Sequence, residues 1–282
     1  MRRKTFRRNR NNPKALDMTV TEGSVTVRTL AAMKERGERI TMLTAYDFPT
    51  AQLLDRAGID CLLVGDSLGM VVQGHKTTVP VTLDQMIYHG EMVVRGSQRA
   101  MVVVDLPFPV GQVSVPHTLE CAARIMKETQ CHAVKMEGGH QQSDAIRAMV
   151  DAGIPTIAHI GLRPQSVHAL GGYRVQKDAD RLMRDALAAQ GAGAFAVLIE
   201  CVPAELAREV TEKLTVPTIG IGAGAACDGQ VLVTDDMLGW NSGYIPKFVR
   251  QFADLKTMAA DAVVAYRDRV RDGNFPGPKE TF

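Results

Sequence analysis

From residue 38 onward the chain alternates short, β-branched apolar runs with segments whose apolar residues recur at three- and four-residue spacing. Few folds accommodate that rhythm. The runs are RITMLTAYD (39–47), CLLVGD (61–66), MVVVDLP (101–107), AVKMEG (133–138), TIAHIG (156–161), AFAVLIEC (194–201), TIGIGA (218–223) and QVLVT (230–234). Between most of them lie the helical patterns TAQLLDRAG, TLDQMIYHGEMVVRG, TLECAARIMKE, SDAIRAMVDAG, DRLMRDALAAQG and PAELAREVTEKL. Several of these end in Gly, as helix C-termini often do, and Pro203 opens the last where a first helical turn tolerates it. Strands so apolar, without clean in–out alternation, suit a parallel sheet buried on both faces. Eight β-then-α units predict an α/β fold of the (β/α)8 TIM barrel type. A doubly wound open sheet alternates in the same way, but no Rossmann fingerprint accompanies these strands. After the eighth run, residues 246–273 read as one long amphipathic helix. No interdomain linker appears, so residues 26–282 are expected to form a single barrel domain with a C-terminal helix.

The 282 residues, 45% of them hydrophobic, are enough for one large core. No apolar run of ~18 residues is present, which excludes a membrane-spanning helix at the sequence level. The five cysteines form no C-x-x-C pair and no zinc spacing, and the reading is reduced, packed thiols in a cytoplasmic setting. The net charge of +2 hides an asymmetry: MRRKTFRRNRNNPKAL carries seven Lys or Arg and no acid. Residues 1–25 therefore read as a basic, disordered, solvated tail. RNA binding is the alternative, though the single Phe of that stretch offers little stacking. A transit peptide would also be rich in Ser, which the first sixteen residues lack, and Met18 is a second candidate start.

In a barrel, the C-terminal ends of the strands surround one pocket. Those ends hold Tyr46, Asp47, Asp66, Ser67, Asp105, Lys135, Glu137, His159, Glu200, Gly222 and Gly224. Carboxylates packed together repel, and desolvation adds to the cost. A divalent cation relieves both, and hard oxygen ligands with open positions suit Mg²⁺. Asp47, followed by Phe-Pro-Thr, reads instead as a helix cap, whereas Asp105, followed by Leu-Pro, is a poorer cap. Lys135 and Glu137 are two apart and face the same way on a strand, where they serve a substrate and a metal or form a buried ion pair. A competing pattern is Gly65-Asp66-Ser67-Leu68-Gly69, the G-x-S-x-G of serine hydrolases, with Ser67, Asp105 and His159 in the expected order. The residues after Ser67 are β-branched and no oxyanion segment precedes them, so a serine hydrolase is the weaker reading. The glycines of IGIGAGAACDGQ (219–230) suggest a place where a ligand approaches the backbone.

Taken together, LTAYDFPTA, LLVGDSLGMVVQGHKTTVPVT, DLPF, VKMEGG, AHIGLRPQSVHALGGYRVQ, ECVPAEL and IGIGAGAACDGQVLV resemble the ketopantoate hydroxymethyltransferase (3-methyl-2-oxobutanoate hydroxymethyltransferase) family of pantothenate biosynthesis. The resemblance runs from about residue 26 to the C-terminus and implies a barrel of the phosphoenolpyruvate/pyruvate superfamily type. It implies Mg²⁺ held by Asp66, Asp105 and Glu137, and a 2-oxo acid site formed by Asp66, Ser67, Asp105, Lys135 and His159. Glu200 is then the general base, and 5,10-methylenetetrahydrofolate the one-carbon donor to 3-methyl-2-oxobutanoate, giving 2-dehydropantoate through a Mg²⁺-stabilised enolate. Large homo-oligomers are implied as well, with no membrane and no nucleic acid as partners. A carbon–carbon lyase of the isocitrate lyase-like kind is the alternative, but VKMEGGHQQSD lacks the cysteine motif such enzymes generally carry. The chain departs from the family pattern in PVGQVSVPHT after DLPF, in Lys177, and in the KETF terminus.

Overall fold

The computed structural model describes residues 23–241 and 243–282. Most of the predicted tail, residues 1–22, lies outside them. All eight predicted strands are present: β1 (Ile40–Thr44), β2 (Cys61–Val64), β3 (Met101–Asp105), β4 (Ala133–Glu137), β5 (Thr156–Gly161), β6 (Ala196–Glu200), β7 (Thr218–Ile221) and β8 (Gly229–Leu232). They pair in parallel in chain order, and β8 returns to pair with β1, closing an eight-stranded barrel. Helices follow every strand but β7, which leads directly into β8, and cover the outside, so that the closed ring is a (β/α)8-type barrel rather than an open sheet.

Strand parity decides which side chains face the axis. Leu62, Val64, Val102, Val104, Val134, Met136, Ala158, Ile160, Val197 and Ile199 point outward into one apolar cluster with the surrounding helices. Their neighbours Ile40, Met42, Cys61, Leu63, Met101, Val103, Ala133, Ile157, Ala196, Leu198, Ile219 and Val231 pack in a second cluster, inside the barrel. Both strand faces are thus buried, which is why the runs lack polar alternation. At the C-terminal ends the inward parity continues to Asp105, Lys135, Glu137, His159 and Glu200.

The N-terminal mouth is closed by a helix that the strand pattern did not announce, Val27–Arg36, with a Thr26/Thr29 capping box and Gly37 as its left-handed C-cap. Its Leu30 and Met33, with Val25, join the interior cluster. Lys34 Nζ reaches Asp228 Oδ2 at 2.7 Å, and Asp228 in turn accepts from Thr218 N at 2.8 Å. Only the opposite mouth is left for a ligand.

Three boundaries differ from the sequence reading. The last helix spans Leu255–Arg271 rather than starting at Pro246, because Asp254 caps it through Thr257 N. The residues before it are tied to the preceding segment, with Phe252 N donating to Met237 O at 2.8 Å and Leu255 N to Leu238 O at 3.0 Å. Gly191 lies within helix Ala179–Gly191, and the left-handed turn falls on Gly193. Pro203 precedes the first turn of Ala204–Lys213 as its N-cap.

Gly161 stands opposite Glu200 in the β5–β6 register and has φ 87°. A Cβ there would collide with the Glu200 carbonyl oxygen. Gly161→Ala should therefore destabilise the fold by about 2–4 kcal/mol, the sum of left-handed strain and overpacking. Denaturant unfolding measures this, and loss of less than about 1 kcal/mol would show that β6 shifts freely.

Candidate active site

A cavity of about 720 Å³ opens at the C-terminal mouth, and Asp66, Ser67, Asp105, Lys135, His159 and Glu200 lie on its wall. Six of the seven side chains singled out from the sequence therefore share one chamber. Glu137 is buried at 1% exposure and lies behind the wall. Asp47 is not part of the site: its Oδ1 accepts from Thr50 N at 2.8 Å and caps helix Phe48–Arg56.

The central contact is an ion pair between neighbouring strands. Lys135 Nζ donates to Asp105 Oδ1 at 2.5 Å, both side chains being almost fully buried. Lys135 thus pairs across to β3 and not with Glu137 on its own strand. Asp105 Oδ2 accepts from Asp66 N at 3.1 Å, which draws the turn after β2 toward β3. Burial pushes the Asp105 carboxyl up to about 7; Lys135 opposes that shift and the charge of Asp66 reinforces it. Burial works against the Lys135 ammonium, but the charges of Asp105, Asp66 and Glu137 outweigh it and hold its pKa above the ordinary value. Glu137 is raised well above the usual range by burial and then by Asp66, despite Lys135.

Glu200 ends β6 with its side chain 16% exposed, and burial lifts it to about 7. His159 Nε2 stands 3.2 Å from Glu200 Oε2, and its Nδ1 is 4.0 Å from Glu137 Oε1. Neither approach has hydrogen-bond alignment, so both ring nitrogens are buried without a partner among the described residues. Burial, then the nearby Lys135 charge, holds the imidazole well below its ordinary pKa, so the ring is neutral. A neutral ring between two acids offers one donor and one acceptor to a ligand.

Ser67 is not arranged as a nucleophile. Its Oγ shares a 2.7 Å hydrogen bond with the Tyr46 hydroxyl, and Asp105 faces Lys135 rather than a histidine. A single helical turn, Leu68–Val71, does follow Ser67, contrary to the sequence expectation. The triad geometry is nevertheless absent. The glycine run after β7 also has a packing role: Phe248 fills the space beside Gly222, and Ala204 that beside Gly224.

Sequence reasoning missed two residues that shape the site, Tyr46 as partner of Ser67 and Gln165. Gln165 is buried at 5% exposure in the loop after β5, and its side-chain amide reaches Asp66 Oδ2 at 2.8 Å. The motif AHIGLRPQSV contained it, but nothing in that spelling says which strand end an amide will meet.

The donor set suits a hard cation. Three buried carboxylates, two of them raised by burial, stand against one ammonium, a deficit of positive charge that Mg²⁺ would correct. Among the described residues no three His, Cys, Asp or Glu side chains meet closely enough to form a closed cage by themselves. A cation held there would complete its shell with waters or substrate oxygens.

The family model for ketopantoate hydroxymethyltransferase matches residues 24–278. The 3-methyl-2-oxobutanoate hydroxymethyltransferase of Rhodopirellula baltica is 62% identical over 258 residues, covering 92% of this chain and 96% of that protein. The protein of the same name from Moorella thermoacetica is 54% identical over 262 residues, covering 92% and 97%. Among solved structures, a phosphonopyruvate hydrolase complex with oxalate and Mg²⁺ superposes with TM-score 0.59 at 14% identity, covering 90% of this chain and 92% of that one. A 2,3-dimethylmalate lyase of the PEP mutase/isocitrate lyase superfamily gives TM-score 0.57 at 19% identity, covering 91% of each. At such identities the structural likeness speaks for the fold alone.

The raised carboxyls make a stability prediction for the metal-free protein. Asp105 and Glu200 have folded-state values of about 7, above their unfolded values of 3.8 and 4.5. The folded state thus holds extra protons between those limits. The cost of burying the charges is full above about pH 7 and is relieved as pH falls. Lowering pH from about 8 to about 6 should stabilise the metal-free protein by about 1.4 kcal/mol for each of these groups, offset in part by His159, whose buried ring stays neutral while the unfolded imidazole takes up a proton, for a net gain of a few degrees in Tm. Asp105→Asn should remove that residue's share of the pH-dependent gain and leave the shares of Glu200 and Glu137. A Tm that instead falls steadily over this range would contradict the assignment.

Proposed function

The chain belongs to the ketopantoate hydroxymethyltransferase family, an enzyme family of hydroxymethyl transfer in pantothenate synthesis, and we propose that it uses 5,10-methylenetetrahydrofolate as donor and Mg²⁺ as cofactor. The acceptor is 3-methyl-2-oxobutanoate and the product 2-dehydropantoate. The observation that carries this reading is Glu200, a carboxyl tuned to about 7 on the wall of a chamber that also holds Lys135 and a neutral His159. A base with that pKa is half ionised at neutral pH, where it both accepts and returns a proton efficiently.

Asp66, Asp105 and Glu137 are the residues that would hold Mg²⁺. When bound, the ion supplies a Lewis acid that draws charge from the carboxylate and keto oxygens of the 2-oxo acid. Glu200 removes the proton from C3 of the oxo acid. Lys135 stands on the same wall as Asp105 and offsets the negative charge that develops as the enolate forms. His159 offers its unpartnered ring nitrogens to the substrate, and Ser67, fixed by Tyr46, offers a hydroxyl. The enolate carbon then bonds to the methylene carbon of the donor, and a water supplies the hydroxyl oxygen of the new hydroxymethyl group. Both carbon–nitrogen bonds of the donor break, and the nitrogens of the departing tetrahydrofolate take up one proton from that water and the one that Glu200 removed. A chamber of about 720 Å³ is larger than a five-carbon acid needs, which leaves room for part of a second substrate.

We further propose a homo-oligomer in the cytoplasm. Helix Leu255–Arg271 buries no residue, and it exposes Met258, Val263, Val264, Tyr266 and Val270. Such a helix suits burial against another copy. The five cysteines are all free, as in a reducing compartment. Among the described residues no helix is long and apolar enough to cross a membrane.

With Mg²⁺ and no folate, the enzyme should exchange the C3 proton of 3-methyl-2-oxobutanoate for deuterium. Glu200→Gln should retain the fold and lose exchange and turnover together by about 10²–10⁴-fold. Near-normal exchange by that variant would move the base elsewhere. Turnover should also stop with EDTA and return with Mg²⁺. On the acid side kcat/KM should fall as Glu200 takes up its proton, with a midpoint near 7. Light scattering supplies the oligomer test: deleting residues 255–282 should reduce the assembly mass per particle by more than the deleted residues themselves. An unchanged assembly would remove that helix from the interface.

A further inference from the structure

The loop after β5 sends one residue to three different strand ends. Gln165 Nε2 donates to Asp66 Oδ2 at 2.8 Å, beyond β2, and to Leu106 O at 2.9 Å, the residue following Asp105 on β3. Its backbone N–H lies 3.2 Å from both oxygens of Glu137, at the end of β4. Both side-chain partners are oxygens that only accept, so the amide nitrogen must face them and the orientation is set by chemistry. Gln165 is 5% exposed and does not line the chamber.

An amide is suited to this place because it donates two N–H groups and carries no charge. A lysine here would neutralise Asp66 and compete with a cation for it. A carboxylate would add a further negative charge to an already crowded cluster. The amide instead fixes one oxygen of Asp66 without neutralising the carboxylate and leaves the other oxygen for a ligand. Outer hydrogen bonds of this kind orient metal-binding carboxylates. Leu106 is held from the other side as well, since its N–H donates to Lys135 O at 2.8 Å.

We propose that Gln165 is the positioning residue of the cation site, holding Asp66, the Asp105 strand end and Glu137 in one arrangement from a loop that contributes no ligand. The inference rests on the Mg²⁺ reading above and adds a residue and a mechanism to it. Because the Glu137 bond comes from the backbone, any side chain other than proline keeps it. Side-chain replacement therefore isolates the link to Asp66 and to Leu106.

The test is metal affinity without substrate. Mn²⁺ binding to the wild-type protein, Gln165→Met and Gln165→Asn is followed by electron paramagnetic resonance, with Mg²⁺ as competitor. Met keeps the volume and loses the donors, while Asn keeps the amide but falls one methylene short. Each should bind Mn²⁺ about 10–100-fold more weakly, the usual cost of losing an orienting partner. At saturating Mg²⁺ most of kcat should return, and the Mg²⁺ concentration for half-maximal rate should rise in the same proportion. Should Gln165→Met fail to fold, Gln165→Asn decides the matter. Wild-type-like Mn²⁺ affinity in a folded variant, with only a lowered Tm, makes Gln165 merely structural and overturns the proposal while leaving the Mg²⁺ reading intact. If the wild-type protein itself binds no Mn²⁺ or Mg²⁺, both fall together.

Discussion

Closure of the barrel hangs on how near β8 can come to β1. Gly229 lies opposite Ile40 in that register, and a Cβ at 229 would stand 2.6 Å from the Ile40 carbonyl oxygen and 2.7 Å from its Cβ. Real Cβ atoms do not approach so closely, so only glycine lets the two strands pair. With the ring shut, inward parity at the strand ends becomes a shared chamber. In an open sheet the same parity would spread Asp105, Lys135, His159 and Glu200 along a face. The Val27–Arg36 helix completes the arrangement by plugging the far mouth with Val25, Leu30 and Met33.

The closed ring concentrates negative charge in a dry place, and the site's chemistry follows from that. Burial raises Asp105, Glu137 and Glu200, while Lys135, held against Asp105, is the one buried ammonium among the described residues. The same desolvation that lifts the Glu200 carboxyl to about 7 leaves the group around Asp105 short of positive charge. One physical cause thus accounts for both the raised Glu200 carboxyl and a donor set suited to a cation. It also disposes of the serine hydrolase. With Asp105 committed to Lys135 and Ser67 to Tyr46, no acid orients a histidine toward a nucleophile.

The lyase alternative shares the fold, as the resemblance to a 2,3-dimethylmalate lyase illustrates, so the fold does not discriminate. The residues do. The segment after β4 runs GGHQQSDAIRAMV, without a thiol, and the five cysteines lie elsewhere in the chain. Sequence identity of 62% over most of the chain places it with the hydroxymethyltransferases instead.

Much of this was legible in the sequence, for a local reason. Strand existence, strand parity and the cap at Asp47 depend on residues within a few positions of one another, and β5 was placed to the residue. Parity alone put Lys135 and Glu137 on one face, and the strand-end rule collected six residues that do share a chamber. What the local pattern could not carry was partnership. That Lys135 faces Asp105 and not Glu137, that Glu137 sits behind the wall, and that Gln165 ties three strand ends together are consequences of barrel register and closure. The helix from Leu255 is shorter than its amphipathic pattern because Asp254 caps it and the Phe252 and Leu255 N–H groups bond to Met237 O and Leu238 O of the segment before. The sequence by itself determined which side chains point inward at the strand ends. Only the tertiary structure decided which of them touch, because contact between strands far apart in sequence depends on how the sheet closes.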